Sequence, residues 1–157
     1  MNILILTGVI AMGLIVTQDK LIKDLPHGIR INNPFNLIHT SIPWRGKIEP
    51  VGRFEAFNDP IFGLRAGLRD VWNDYRIDGK ETIRELINEF APPIENNTSA
   101  YVKSVSDFMG HGPDKPLNFP SQLALFARAI IRHENGASYV NYYSSDQLNI
   151  AINEAIL

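Results

Sequence analysis

The chain has 157 residues, of which 45% are hydrophobic, 20% charged and 10% aromatic, the proportions of an ordinary folded domain rather than a disordered or fibrous chain. That length holds one core, not two. Fifteen Lys and Arg against seventeen Asp and Glu give a net charge of −2, so no basic excess neutralises phosphates and nucleic acid is not an expected partner. The lack of cysteine excludes a disulfide framework, a thiolate zinc site and a cysteine nucleophile.

Residues 3–16 read ILILTGVIAMGLIV without a charge. A helix of that length spans about 21 Å, short of a ~30 Å hydrocarbon core, and the run from Met1 to Gln18 reaches about 27 Å. The marks of a secretory signal, a basic start and a small-residue cleavage site, are not evident. Residues 1–18 are read as an apolar helical segment with three roles open: a short membrane anchor or uncleaved export signal, a buried or partner-bound helix, or a removable signal. A polar linker, 19–27, ends near Pro26-His27-Gly28, and residues 28–157 form the folded domain.

Residues 30–58 are rich in Asn, Pro and Gly, with only weak strand alternation around Val51–Phe57. Asp59 and Pro60 suit the start of a helix, in which Ile61, Leu64, Leu68, Val71, Trp72 and Tyr75 recur on one face. Gly63 and Gly67, one turn apart in that helix, each cost about 1 kcal/mol of helix propensity, which predicts another element packed closely against them. Thr82 and Glu85 have capping-box spacing before a helix that Ala91-Pro92-Pro93 stops. A third helix is expected over Thr98–Met109, capped by Thr98 and ended by Gly110. A loop follows to Pro120. The most apolar helix, about Ser121 to His133, is expected to be central, and Ser144 with Gln147 caps a last helix through Ile156. The pattern predicts a mostly α domain with a small irregular or β lobe.

No P-loop, GxGxxG or HExxH is present, and the four histidines share no metal-ligand spacing. The informative string is Ile130-Ile131-Arg132-His133-Glu134-Asn135-Gly136, where a very apolar helix ends in a carboxylate. A negative charge there opposes the helix dipole, and that dipole with apolar neighbours raises a carboxyl pKa. A raised pKa suits a general acid that protonates a glycosidic oxygen, although an exposed Glu at a helix end is the plainer reading.

Ala129 to Gly136 resembles the helix-Glu-Ser-Gly motif of lytic transglycosylases and related lysozyme-fold enzymes, with Asn135 where Ser is usual. Three front segments, Gly28 to Leu37, Trp44-Arg45-Gly46, and Phe54 to Asp59 before Gly63-Leu64-Arg65-Ala66, resemble a phage-encoded family of lysozyme-like or virion structural proteins. Ala91-Pro92-Pro93, Glu95, Asn96, Thr98 and Tyr101 match it further on, and Ile31 and Phe35 depart from its pattern. The Asn-Pro-x-Asn and Trp-x-Gly segments also resemble peptidoglycan glucosaminidases, in which the catalytic Glu comes first. A circular permutation of the lysozyme fold would reconcile the two orders.

The resemblance implies a lysozyme-like domain that cuts the glycan strand of bacterial peptidoglycan. Glu134 is the acid, Glu55 a candidate second carboxylate, and Asn32, Asn33, Asn36, Trp44 and Tyr139 shape the cleft or bind sugar. No metal or organic cofactor is implied. Residues 1–18 would hold the protein to membrane or virion components, placing it in the virion or virion membrane, or in the host inner membrane facing the periplasm. Because no second carboxylate sits in a recognisable pattern, the expected chemistry leans toward a transglycosylase releasing 1,6-anhydro sugars. The rival readings are a non-enzymatic virion structural protein that keeps the lysozyme-like shape, and a membrane-tethered interaction module of the host envelope.

Overall fold

In the computed structural model, residues 21–93 and 97–157 are described. The expected apolar helix of residues 1–18 lies outside them, as do Glu95 and Asn96 of the segment that resembles the phage family. A single turn of helix, α1 (His27–Arg30), leads into a loop and then a hairpin, β1 (Lys47–Val51) and β2 (Phe54–Phe57). Five further helices follow: α2 (Pro60–Arg76), α3 (Ile83–Phe90), α4 (Thr98–Met109), α5 (Leu123–Asn135) and α6 (Ser145–Ile156). A 3-10 turn at Ala137–Tyr139 links the last two. The fold is mostly helical with one small sheet, as the sequence predicts.

The sheet is more than the single weak strand expected. Lys47 pairs with Phe57, Ile48 with Ala56 and Val51 with Phe54, with a bulge between Ile48 and Val51 and Gly52 at φ 61° in the turn. Bulge and glycine turn blur the period-2 pattern that would have revealed β1.

The helix starts follow their side chains. Asp59 accepts from Ile61 N at 2.8 Å, and Thr82 with Glu85 and Ser144 with Gln147 form complete capping boxes. At α4 the cap is Asn97, which accepts from Ala100 N at 3.2 Å, rather than the expected Thr98. Thr98 is buried and its hydroxyl donates 2.6 Å to the carbonyl of Ala91, tying α4 to the end of α3.

Helix α2 packs chiefly on α6, and α5 packs on α4. One apolar cluster runs from Phe35 to Ala155, and Leu123, Phe126, Ala127, Ala129, Ile130 and Ile131 of α5 are at most 1% exposed within it. The two glycines of α2 meet a loop rather than a helix. A Cβ on Gly63 would sit 1.6 Å from the Asn32 carbonyl oxygen, and one on Gly67 would sit 2.2 Å from the Phe35 ring. Phe35, 1% exposed, is thereby the plug that seats the loop on α2. Helix α5 runs two residues beyond the expected His133, through Asn135, before Gly136 stops it at φ 99°. The Asn135 amide, donating to Ile131 O at 3.2 Å and to Pro34 O at 2.8 Å, holds those two residues in place.

Candidate functional site

The end of α5 is fastened to the front loop by two consecutive side chains. Asn36 Nδ2 donates to Glu134 Oε2 at 2.8 Å, and Asn135 Nδ2 donates to the Pro34 carbonyl. Both contacts link residues about one hundred positions apart in the chain. Asn36 has φ 51°, a left-handed conformation that Asn tolerates better than most residues. Asn135, at the position of the Ser in the resembled motif, is buried and donates to the Pro34 carbonyl of the front loop.

Tyr101 of α4 approaches the same carboxylate from behind. Its ring stacks on His133, centroids 3.6 Å apart, and its buried hydroxyl makes no hydrogen bond of ordinary geometry. Burial first, then the nearby Glu134 charge and the hydroxyl's contact with that carboxylate, push the phenol pKa well above its usual value. His133 is lowered by burial, with the Glu134 charge opposing and Arg132 reinforcing the shift.

Glu134 opens into a cavity of about 720 Å³. Asn36, Thr40, Ile42, Trp44 and Phe54 line it from the front lobe, and Asp70, Asp74, Glu89 and Phe90 from α2 and α3. Of the residues singled out in the sequence, Glu134, Asn36 and Trp44 thus share one cavity. The other candidate site residues, Asn32, Asn33, Glu55 and Tyr139, do not line it. Asn33, 0% exposed, donates to the carbonyls of Leu37 and Glu55 at 2.9 Å each and accepts from Leu37 N, so it frames the loop. Asn32 donates to the Phe57 carbonyl at 2.9 Å. Tyr139 sits in the 3-10 turn, with its ring toward Tyr142.

Glu55 is 0% exposed and also stands apart from the cavity. It accepts from Lys47 Nζ at 2.9 Å, Thr40 N at 2.9 Å and Thr40 Oγ1 at 3.3 Å, and lies 3.2 Å from His39 Nδ1. Burial alone would raise its pKa, but the bonds from Lys47, Thr40 and His39 together hold it below the ordinary value. Lys47 also donates to the carbonyls of Thr40 and Ile42. Glu55 and Lys47 therefore brace the loop whose Thr40, Ile42 and Trp44 form the cavity wall.

Sequence reading missed the acidic part of the cavity. Asp70 and Asp74, one turn apart on α2, are both shifted toward protonation: Asp70 by burial and then by Glu89, and Asp74 to about 6 by burial and then by Asp70. Lys80 answers them, with Nζ 3.8 Å from Asp74 and 3.1 Å from Glu89. The only sequence signal was the i, i+4 spacing of two acids on a helix whose other face is apolar. Among the described residues no group of His, Asp and Glu is arranged to hold a metal ion.

No family model matches the chain. It is 33% identical over 135 residues to Protein P5 of Pseudoalteromonas phage PM2, an alignment covering 81% of this chain and 80% of that protein. The chain belongs to the family of that phage protein. It is accordingly a phage-associated protein, which agrees with the phage kinship drawn from its front segments. Among the described residues no helix is long and apolar enough to cross a membrane.

Proposed function

We propose that the protein cleaves the glycan strand of bacterial peptidoglycan, with Glu134 as the general acid. The observation that carries this reading is a carboxylate at the end of a buried helix, held by Asn36 and opening into a cavity large enough for sugar rings. Trp44, Phe54 and Phe90 line that cavity and offer faces on which sugars stack. Glu134 protonates the bridging oxygen as the glycosidic bond breaks and positive charge builds on the sugar ring. The acidic lining, Asp70, Asp74 and Glu89, favours that developing charge electrostatically.

Attack by a hydroxyl of the substrate itself fits better than attack by water. Glu55 is committed to Lys47 and Thr40 and stands outside the cavity, so the second carboxylate named in the sequence is not placed to act as base or nucleophile. The resemblance to lytic transglycosylases points the same way. Binding to the virion, through residues 1–18 or otherwise, would bring the cavity to the wall.

Clearing of purified peptidoglycan by the wild-type protein and by Glu134→Gln tests this reading. The amide keeps the shape but has no proton to give, so clearing should fall by about 10²–10⁴-fold with an unchanged melt. A folded Glu134→Gln variant that clears at the wild-type rate removes Glu134 from the reaction. A folded wild-type protein that clears nothing leaves the non-enzymatic virion role.

A further inference from the structure

We propose that Asn36 is a positioning residue for Glu134, not a sugar contact: it holds Oε2 and leaves Oε1 as the oxygen that carries and delivers the proton. The proposal rests on the reading of Glu134 as general acid and specifies how that acid is aimed.

The direction of the hydrogen bond comes first. Nδ2 of Asn36 lies 2.8 Å from Oε2, and an amide NH2 can only donate. A proton on Oε2 would compete with that N–H for the same oxygen. With Oε2 taken by Asn36, Oε1 is the oxygen left for the proton, and the buried Tyr101 hydroxyl stands against the same carboxylate.

The amide is also kept from turning over. Asn36 Oδ1 is buried without a donor and points at Gly28, where an added Cβ would lie 2.5 Å from it. Against the ionised Glu134 carboxylate, a rotated amide would set Oδ1 at hydrogen-bond distance, acceptor against acceptor.

The backbone beneath is fixed too. Asn36 N donates to the Asn33 carbonyl at 2.9 Å, and the Asn33 side chain clamps Leu37 at both its N–H and its carbonyl. The left-handed φ of 51° is then one that only Gly or a residue such as Asn occupies at low cost. Each of these features orients the Asn36 amide toward α5.

The direct measurement is the side-chain amide resonances of Asn36 in the full chain, followed by two-dimensional NMR from pH 3 to pH 8. They are expected to move in one titration step that is absent in Glu134→Gln. Resonances indifferent to pH in the wild type, or titrating equally in Glu134→Gln, overturn the hold on Oε2.

A kinetic arm separates aiming from sugar binding. Asn36→Gly keeps the left-handed backbone and removes the amide, so kcat should fall about 10- to 100-fold with little change in KM. A raised KM at unchanged kcat overturns the proposal in favour of a sugar contact. If the wild type cleaves no glycan while the amide still titrates with Glu134, the general-acid reading and delivery by Oε1 both fall, and the hold on Oε2 stands.

Discussion

A carboxylate with no solvent exposure must find its donors inside the protein, and Glu55 finds them in Lys47, Thr40 and His39. Its pKa is held below the ordinary value, so its stabilising contribution is complete above the ordinary carboxylate range and is lost as pH falls through the lower folded value. Glu55→Gln leaves Lys47 beside an amide and should cost about 3 kcal/mol at pH 7, a difference that shrinks in acid. Denaturant midpoints of the two proteins at pH 7 and pH 3 check this. Equal stability at pH 7 would show that the Glu55–Lys47 pair holds nothing. The same variant bears on function. A loosened Trp44 loop should raise KM more than it lowers kcat, whereas a second catalytic carboxylate would lose kcat first.

Among the elements, the loop of residues 32–36 is the piece on which the site depends, and it lies on α2 through two glycines. Gly67→Ala would drive a methyl into the Phe35 ring and should destabilise by about 1–3 kcal/mol. Phe35→Leu in the same chain should recover part of that loss, and thermal melts of the single and double variants measure the coupling. Strict additivity would mean that the two residues do not press on each other. The helices themselves were legible, because caps and apolar periodicity are local. Asp59, Thr82 and Ser144 cap where their spacing predicts, while Thr98 yields the cap to Asn97 because its hydroxyl has the Ala91 carbonyl to bind. Strand β1 was not legible, since a bulged strand beside a glycine turn carries no clean alternation.

At the scale of the molecule the cavity joins Glu134 at the end of α5 to an acidic wall on α2 and α3. Glu134, Asn36 and Trp44 could be named from motifs, but their meeting could not be derived from spacing, because Asn36 and Glu134 are 98 residues apart. Asn32 and Asn33 look like cleft residues in a string, yet their amides face the Phe57, Leu37 and Glu55 carbonyls. Asp70 and Asp74 were passed over because their surroundings come from α3 and the Lys80 segment, which the α2 sequence does not reveal.

With a folded pKa of about 6 against an ordinary 3.8, Asp74 binds its proton more tightly in the native state, so it lowers stability as pH rises from about 4 to about 6. Asp74→Asn should therefore stabilise the protein at pH 7 by on the order of 1–2 kcal/mol, with the gain fading toward pH 4. Melting temperatures across that range decide it, and a pH-independent difference between the two proteins would contradict the assignment.

The central claim, glycan cleavage led by Glu134, is tested most directly by mass spectrometry of the soluble fragments released from purified peptidoglycan by the full-length protein. Fragments ending in 1,6-anhydro sugars, each one water lighter than a reducing end and missing from the Glu134→Gln digest, are the predicted result. Release no greater than that of Glu134→Gln would contradict it.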